Sequence, residues 1–168
     1  MILATHSIIG AGLASFFPDN PGIAFSAAFA SHFALDAIPH WEYKTLSRTK
    51  NEANRLDEDI KFGKNFFIDL RKIFLDTAIG ATLAVLIFHY YFGASLPLVL
   101  IGITGGLLPD ALQFVYFKIR KEPLILLQKG HLKAHNNNEN LSKKFPKIGF
   151  FLQVLLNVCF ILLVLLFA

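Results

Sequence analysis

The sequence predicts an all-α integral membrane protein, folded as one bundle of about five transmembrane helices across residues 1–168. Composition is the first observation behind this class, because 54% of the residues are hydrophobic and the mean hydropathy is +0.51. Soluble domains typically contain roughly 45–50% apolar residues even when glycine is counted. Run length is the second observation: residues 148–168 are apolar except for Gln153 and Asn157, and a helix needs about 20 such residues to cross a bilayer core.

The predicted helices follow the apolar runs and cover residues 2–17, 21–38, 66–92, 95–117 and 147–168. The first two helices are short and rich in small residues. Turn-forming residues at positions 18–22 separate them, which predicts a tight helical hairpin. The third run contains an acidic residue, Asp76, and the fourth contains a single charged residue, Asp110.

The distribution of positive charge predicts the orientation of the helices. Residues 42–65 and 118–146 are predicted to be loops, and they carry six and seven Lys or Arg residues, whereas the other two connectors carry none. Because basic loops remain cytoplasmic, we expect the N-terminus on the cytoplasmic side of the membrane and the C-terminus on the opposite side. Residues 121–127 are expected to form a short helix at the membrane interface.

The net charge of +4 agrees with this topology and with attraction to anionic lipid headgroups. The chain lacks the interleaving of basic and aromatic residues that nucleic-acid binding favours, so no nucleic-acid partner is expected. The expected partners are membrane lipid and an amphiphilic or small-molecule substrate. The oligomeric state is left open.

A repeated spacing of four residues marks the end of the second helix. His32, Asp36 and His40 follow one another at this spacing, which places side chains on one face of a helix. Pro39 disfavours helical geometry at the preceding residue, so His40 is expected just past the helix end and near Asp36. The three residues together favour a metal site. The alternative is two interfacial histidines and a charge at a helix end.

Other helices contribute further polar groups near the same membrane boundary. His6 lies at the start of the first helix and would alone be an ordinary interfacial histidine. Asp76 is a stronger candidate ligand than His6, because placing an acidic side chain in the hydrocarbon core costs a free energy of roughly 2.5–3.5 kcal/mol on insertion scales. Its alternative partners are Arg71 and Lys72. Asp110 follows Pro109 in the last third of the fourth helix, and there the alternative is a proline-kinked helix with a capping carboxylate.

His131 and His135 are again four residues apart, within the second basic stretch. A solvated loop is the alternative there, and His135 is the preferred ligand of the two. His89 is excluded because it lies at the opposite boundary. The predicted metal ligands are therefore His6, His32, Asp36, His40, Asp76, Asp110 and His135.

Seven candidate ligands suit two metal ions better than one, because a catalytic zinc takes three protein ligands and keeps one open position. The predicted cofactor is one or two divalent metal ions, and zinc is the preferred metal. Manganese and iron are the alternatives, since the candidate set contains no thiolate.

Three segments carry a resemblance to a known family: residues 4–10 around His6, residues 31–41 from Ser31-His32 through Asp36 to Pro39-His40-Trp41, and residues 106–110, Gly-Leu-Leu-Pro-Asp. The chain resembles bacterial membrane-bound metal-dependent hydrolases, which are themselves distantly similar to zinc-dependent phospholipase C. The resemblance implies that His6, His32, Asp36 and Asp110 bind metal and that the reaction is a hydrolysis.

The leading hypothesis is a membrane-embedded, metal-dependent hydrolase that acts at the cytoplasmic headgroup level on a phosphoester of a lipid or another amphiphile. Asp76 is the predicted catalytic base for a metal-bound water. One alternative is a proton- or cation-coupled transporter, although a transporter usually places its site near the membrane midplane. The other alternative is a non-catalytic membrane protein that a metal ion holds together.

Overall fold

A computed structural model describes residues 1–51, 53–135 and 145–167 of the protein, and within these residues the chain is mostly helical. The structure has α1 (Leu3–Ser15), α2 (Pro21–Asp36), α3 (Lys64–Ala84), α4 (Leu96–Tyr116), α5 (Leu124–His135) and α6 (Pro146–Phe167). Helix α3 continues as wider, π-helical turns over Val85–Tyr91. The structure therefore confirms a mostly helical fold.

Three of these helices are long and apolar enough to cross a membrane: α3 with its extension (Lys64–Tyr91), α4 and α6. The first two helices have 13 and 16 residues. At 1.5 Å per residue they are about 20 Å and 24 Å long, shorter than the roughly 30 Å of a hydrocarbon core. Three potential spans are therefore established, and the five predicted ones are not.

Helix α1 is the centre of the bundle. Ten of its thirteen residues are buried, and it packs against α2, α3, α4 and α6. Its contact with α4 joins backbone to backbone, because a Cβ added to Gly10 would collide with the Gly102 carbonyl, and one added to Gly106 would collide with the His6 carbonyl. Small residues permit this approach. The close contact brings the start of α1 directly against the polar end of α4.

The main apolar core lies away from the polar end of the bundle. Its buried members come from α1, α3, α4 and α6: Ile8, Ala11, Ala84, Phe88, Val99, Ile103 and Val164. Outside this core, α3 and α6 expose large apolar side chains, among them Phe74 and Leu166 at 68% and 81%. Such a surface suits contact with lipid, and it agrees with the apolar composition.

The predicted loop 42–65 is folded onto the end of the bundle. It contains two short antiparallel strands, β1 (Arg48–Thr49) and β2 (Asp59–Ile60). Asp69 of α3 holds the segment, because one carboxylate oxygen accepts hydrogen bonds from the backbone of Leu46 and from both the backbone and the hydroxyl of Ser47, all at 2.7–2.8 Å. The segment therefore has a defined position over the end of α3.

The prediction of a loop over residues 118–146 is wrong for its central part, where α5 runs from Leu124 to His135. The expected short helix at 121–127 begins later and continues much further. The sequence pattern did not predict this helix, because its inward face carries polar residues in place of apolar ones. Gln128 and His131 are among these residues, and both are buried against the bundle. Residues 136–144 of the predicted loop, and residue 168 of the last predicted helix, lie outside the described residues.

Candidate metal centre

Five histidines and three carboxylates converge at one end of the bundle. They come from α1, α2, the segment after α2, α4 and α5. Their nitrogen and oxygen atoms form three overlapping groups, in each of which all ligand atoms lie within 4.8 Å of one another: Asp36, His40, Glu42 and His135; His6, His32 and Asp36; and His32, Asp110 and His131. Histidine nitrogens and carboxylate oxygens are the ligands that zinc, manganese and iron accept.

Asp36 is at the centre of this cluster and is 1% exposed. The Nε2 atoms of His6, His32, His131 and His135 lie 3.3, 3.2, 3.1 and 3.0 Å from its carboxylate oxygens. The four imidazoles belong to three different helices, so the tertiary structure assembles them. Four nitrogens around one buried carboxylate form a polar centre inside an otherwise apolar bundle.

The end of α2 sets the first part of the site. His32 and Asp36 are one turn apart on the same helix face, as their spacing predicted. After the helix ends at Asp36, the His40 Nδ1–H donates to the Ile38 carbonyl at 2.6 Å, and the His40 Nε2 lies 2.8 Å from the Glu42 carboxylate. The chain thus returns toward the cluster directly after α2.

A backbone carbonyl fixes the tautomer of His32. The His32 Nδ1–H donates to the Gly106 carbonyl at 2.8 Å, so the Nε2 of the neutral ring carries a lone pair. That atom faces Asp36 at 3.2 Å and Asp110 at 3.7 Å. A lone pair and a carboxylate repel each other unless a proton or a metal ion lies between them. A carbonyl on one ring nitrogen is also the usual outer support of a metal-binding histidine.

His6 supports the same conclusion. Both of its ring nitrogens are buried and lack a hydrogen-bond partner among the described residues, although the Nε2 lies 3.3 Å from Asp36. Its ring stacks on that of His32 with the centroids 4.0 Å apart. A buried polar group without a partner costs about 1–3 kcal/mol. Coordination of a cation beside Asp36 would remove this cost.

Helix α5 brings both of its histidines into the cluster. The His131 Nε2 lies 3.1 Å from Asp36 and 3.4 Å from Asp110, while the His135 Nδ1 lies 3.2 Å from Glu42. His131, which the sequence interpretation ranked below His135, is the more deeply buried of the two, with side-chain exposures of 4% and 16%. Both residues belong to the candidate site.

Glu42 is a member of the cluster that the sequence analysis did not consider, because it lies in the predicted basic loop 42–65. Its spacing of two from His40 was the available sign, since such residues share one side of an extended chain. Burial alone would raise the pKa of Glu42, but the N-terminal ammonium and the hydrogen bond from His40 hold that pKa below its usual range. Glu42 is therefore an anionic group at neutral pH.

Asp76 lies apart from the three groups. Its two oxygens accept hydrogen bonds from the backbone N–H groups of Leu3 and Ala4, at 2.7 and 3.2 Å. These donors open α1, whose own N-cap residue makes no side-chain cap. Neither suggested cation partner occupies this position, and Lys72 lies 3.4 Å from Asp69 instead. Asp76 therefore serves the start of α1 in this structure.

Among the described residues, the cluster contains one ammonium group and three carboxylates. The ammonium of Met1 lies 2.7 Å from Asp36 and 3.1 Å from Glu42. Burial alone would lower its pKa, but these carboxylates and Asp110 raise it to about 10. One ammonium and the three carboxylates of the cluster leave a net charge of −2 when the histidines are neutral. This negative charge would attract divalent cations.

The members of the cluster differ in their exposure to solvent. His6, His32 and Asp36 are buried to within 1% exposure, whereas the Asp110 and Glu42 side chains are 30% and 48% exposed. No known protein family, curated protein or solved structure matches the chain.

Proposed function

We propose that this protein is a membrane-embedded, metal-dependent hydrolase that cleaves a phosphoester of a lipid or another amphiphile. The observation that carries the proposal is the buried carboxylate of Asp36, with four imidazole nitrogens within 3.3 Å. The resemblance to bacterial membrane-bound metal-dependent hydrolases adds support, because the residues that it implies as ligands all lie in this cluster. Zinc is the proposed metal, with manganese and iron as alternatives.

The overlapping groups suggest a division between two metal positions. His6, His32 and Asp36 would hold an inner ion, with Asp110 and His131 at its edge. His40, Glu42 and His135 would hold an outer ion, and Asp36 lies between the two groups. A pair of divalent ions generates hydroxide near neutral pH and stabilises the attacking and leaving oxygens of a phosphoester.

Proton transfer requires a carboxylate that water can reach. Asp110 is 30% exposed and lies at the edge of the cluster, so we assign it as the candidate general base. Asp76, the base that the sequence suggested, has both oxygens engaged by the backbone of α1. The role of Asp76 in catalysis stays a prediction with less geometric support.

The proposed location is the cytoplasmic boundary of a bacterial inner membrane, with five spans, the N-terminus inside and the C-terminus outside. Three helices with spanning length and composition support a membrane location. The cluster lies at helix ends that adjoin the two basic segments, residues 42–65 and 118–146. Basic segments favour the cytoplasmic side of a membrane. A site at this depth would meet lipid headgroups.

Metal analysis combined with a lipid hydrolysis assay tests the proposal. We expect purified protein in detergent to retain zinc and to release product from at least one phosphoester lipid when zinc or manganese is supplied. Asp36→Asn should lose the metal and reduce hydrolysis about 100-fold or more, with helical content retained by circular dichroism. Asp19→Asn, in the exposed turn between α1 and α2, is the matched control. A wild-type protein that binds no zinc or manganese would refute the metal site.

A non-catalytic metal centre is the second candidate, because the cluster joins α1, α2, α4 and α5. A metal ion at this position would fasten four helices. In that case metal removal would lower the melting temperature of the wild-type protein, and no lipid of the panel would be hydrolysed. Both candidates therefore predict that the purified protein contains metal, and only the hydrolase predicts that product is released from a lipid.

A further inference from the structure

A cavity of about 300 Å³ lies between the folded segment 42–65 and the beginning of α3, lined by residues 46–49 and 61–65. None of these lining residues belongs to the metal cluster. The cavity lies where the small β1–β2 sheet meets the first turn of α3. It is open to the surface, so a ligand can enter it without passing the histidines.

The lining of the cavity is positively charged. It includes Arg48, Lys61 and Lys64 and no carboxylate. Arg48 is neutralised, because its guanidinium contacts the Glu58 carboxylate, with the Nε at 2.6 Å. Lys61 and Lys64 are exposed and make no ion pair within the part of the chain that the structure describes. Two uncompensated ammonium groups beside one cavity favour an anionic ligand.

Exposed aromatic residues place the cavity at the depth of lipid headgroups. Phe62 and Phe67 are 65% and 67% exposed on either side of Gly63 and Lys64. From Phe67 onward, α3 presents large apolar side chains to its surroundings, and α3 is one of the three potential spans. The cavity therefore lies between an apolar, lipid-facing surface and a polar segment. Aromatic and basic residues are enriched at this level of membrane proteins.

We propose that this cavity binds the phosphate headgroup of an anionic phospholipid, held by Lys61 and Lys64 with its acyl chains along the exposed phenylalanines of α3. The ligand is a resident lipid and not the hydrolysed substrate, so the proposal goes beyond the proposed function and does not require the metal centre. A bound lipid would also fasten segment 42–65, which carries Glu42, against α3.

Native mass spectrometry of the full-length protein in detergent tests this site. The probes are phosphatidylglycerol and phosphatidylcholine with the same acyl chains. We expect the wild-type protein to bind phosphatidylglycerol about tenfold more tightly than phosphatidylcholine. Lys61→Ala combined with Lys64→Ala should abolish this preference, because each basic residue near a membrane surface contributes severalfold to anionic lipid binding. Lys61→Arg combined with Lys64→Arg should retain it.

The control variant carries Lys129→Ala and Lys133→Ala, two exposed residues of α5 outside the cavity. It makes the same change in net charge and should keep the preference. Equal losses in the two double variants would show general electrostatic attraction and overturn the proposal. Displacement of the lipid by excess glycerol phosphate would overturn it as well, because the ligand would then be a soluble phosphate. Zinc content, measured in the same samples, reports separately on the metal centre.

Discussion

At the residue scale, Asp36 organises the candidate site. Its carboxylate lies at the end of α2 and is surrounded by imidazoles from α1, α2 and α5. A carboxylate buried in this way is strongly unfavourable unless it is paired or bound to a metal. The nearby ammonium of Met1 supplies one positive charge, and two further carboxylates compete for it. This excess of negative charge supports the proposed metal ion.

Glu42 provides a test of the two proposed metal positions. Glu42→Gln removes a charged oxygen from the outer group, which also contains His40 and His135, and leaves the inner group intact. We therefore expect the zinc content of the purified protein to fall from two ions to one, measured by native mass spectrometry. His6→Ala should instead weaken the inner ion. A stoichiometry that Glu42→Gln leaves unchanged would contradict the assignment of Glu42 as a ligand.

Asp76 provides a test of structure against catalysis. Asp76→Ala leaves the N–H groups of Leu3 and Ala4 without their acceptor, and the loss of a helix cap costs typically about 1 kcal/mol. We expect a lower melting temperature and an unchanged zinc content. Asp76→Asn, which keeps one acceptor oxygen, should lose less stability. If Asp76→Ala abolishes hydrolysis while the melting temperature stays constant, Asp76 is the base that the sequence suggested.

At the element scale, the contact between α1 and α4 positions the metal centre. His6 lies on α1, Asp110 lies on α4, and the Gly106 carbonyl that orients His32 belongs to α4 as well. Because a Cβ at Gly106 would collide with the His6 carbonyl, the two helices can approach this closely only while glycine occupies the position. Packing of the helix pair and geometry of the site therefore depend on the same residue.

Two glycine substitutions separate close packing from helix propensity. Gly106→Ala inserts a methyl group into the α1–α4 contact, and overpacking typically costs about 1–3 kcal/mol. At Gly130 of α5 the nearest atom to an added Cβ is Phe33 Cε1 at 3.8 Å, so Gly130→Ala should be neutral or stabilising by up to about 1 kcal/mol. Thermal unfolding followed by circular dichroism measures both. Equal melting temperatures of the two variants would contradict the close α1–α4 contact.

At the scale of the whole molecule, the polar cluster and the main apolar core lie at different positions along the bundle. The metal cluster, the folded segment 42–65 and α5 lie at one end, whereas the main apolar core lies further along the helices. Large apolar side chains cover much of the outer surface of α3 and α6. A bilayer is the solvent that such a surface favours, and the proposed location would put the polar end at the headgroup level.

The proposed topology predicts which residues an external reagent can reach. In a Cys159→Ser background, we expect Asp19→Cys to react with a membrane-impermeant maleimide in intact cells. Lys121→Cys should react only after the membrane is permeabilised, because it lies in the second basic segment. Gel-shift analysis of the labelled protein gives the result. Labelling of both positions in intact cells would exclude a cytoplasmic location for that segment.

Particular residues show how far sequence reasoning could reach. The spacing of His32 and Asp36 predicted a shared helix face. The apolar runs predicted helices whose observed bounds, with the π-helical extension of α3 included, lie within two residues of those expected. Helix α5 was largely missed, because its buried face contains glutamine and histidine, which are typical of an exposed loop. Asp76 was grouped with the histidines because its sequence neighbourhood could not reveal the N–H groups of Leu3 and Ala4.

The sequence by itself determined the helical class, the apolar surface and the set of polar residues near one end, because these properties depend on composition and on periodicities of a few residues. The tertiary structure decided which polar groups meet. It placed His131 and Glu42 beside Asp36, and it placed Asp76 at the start of α1, where the carboxylate accepts a backbone hydrogen bond from Leu3. Such contacts join residues up to about a hundred positions apart, and they depend on close packing of α1 and α4 and on how α5 folds back, which local patterns do not encode.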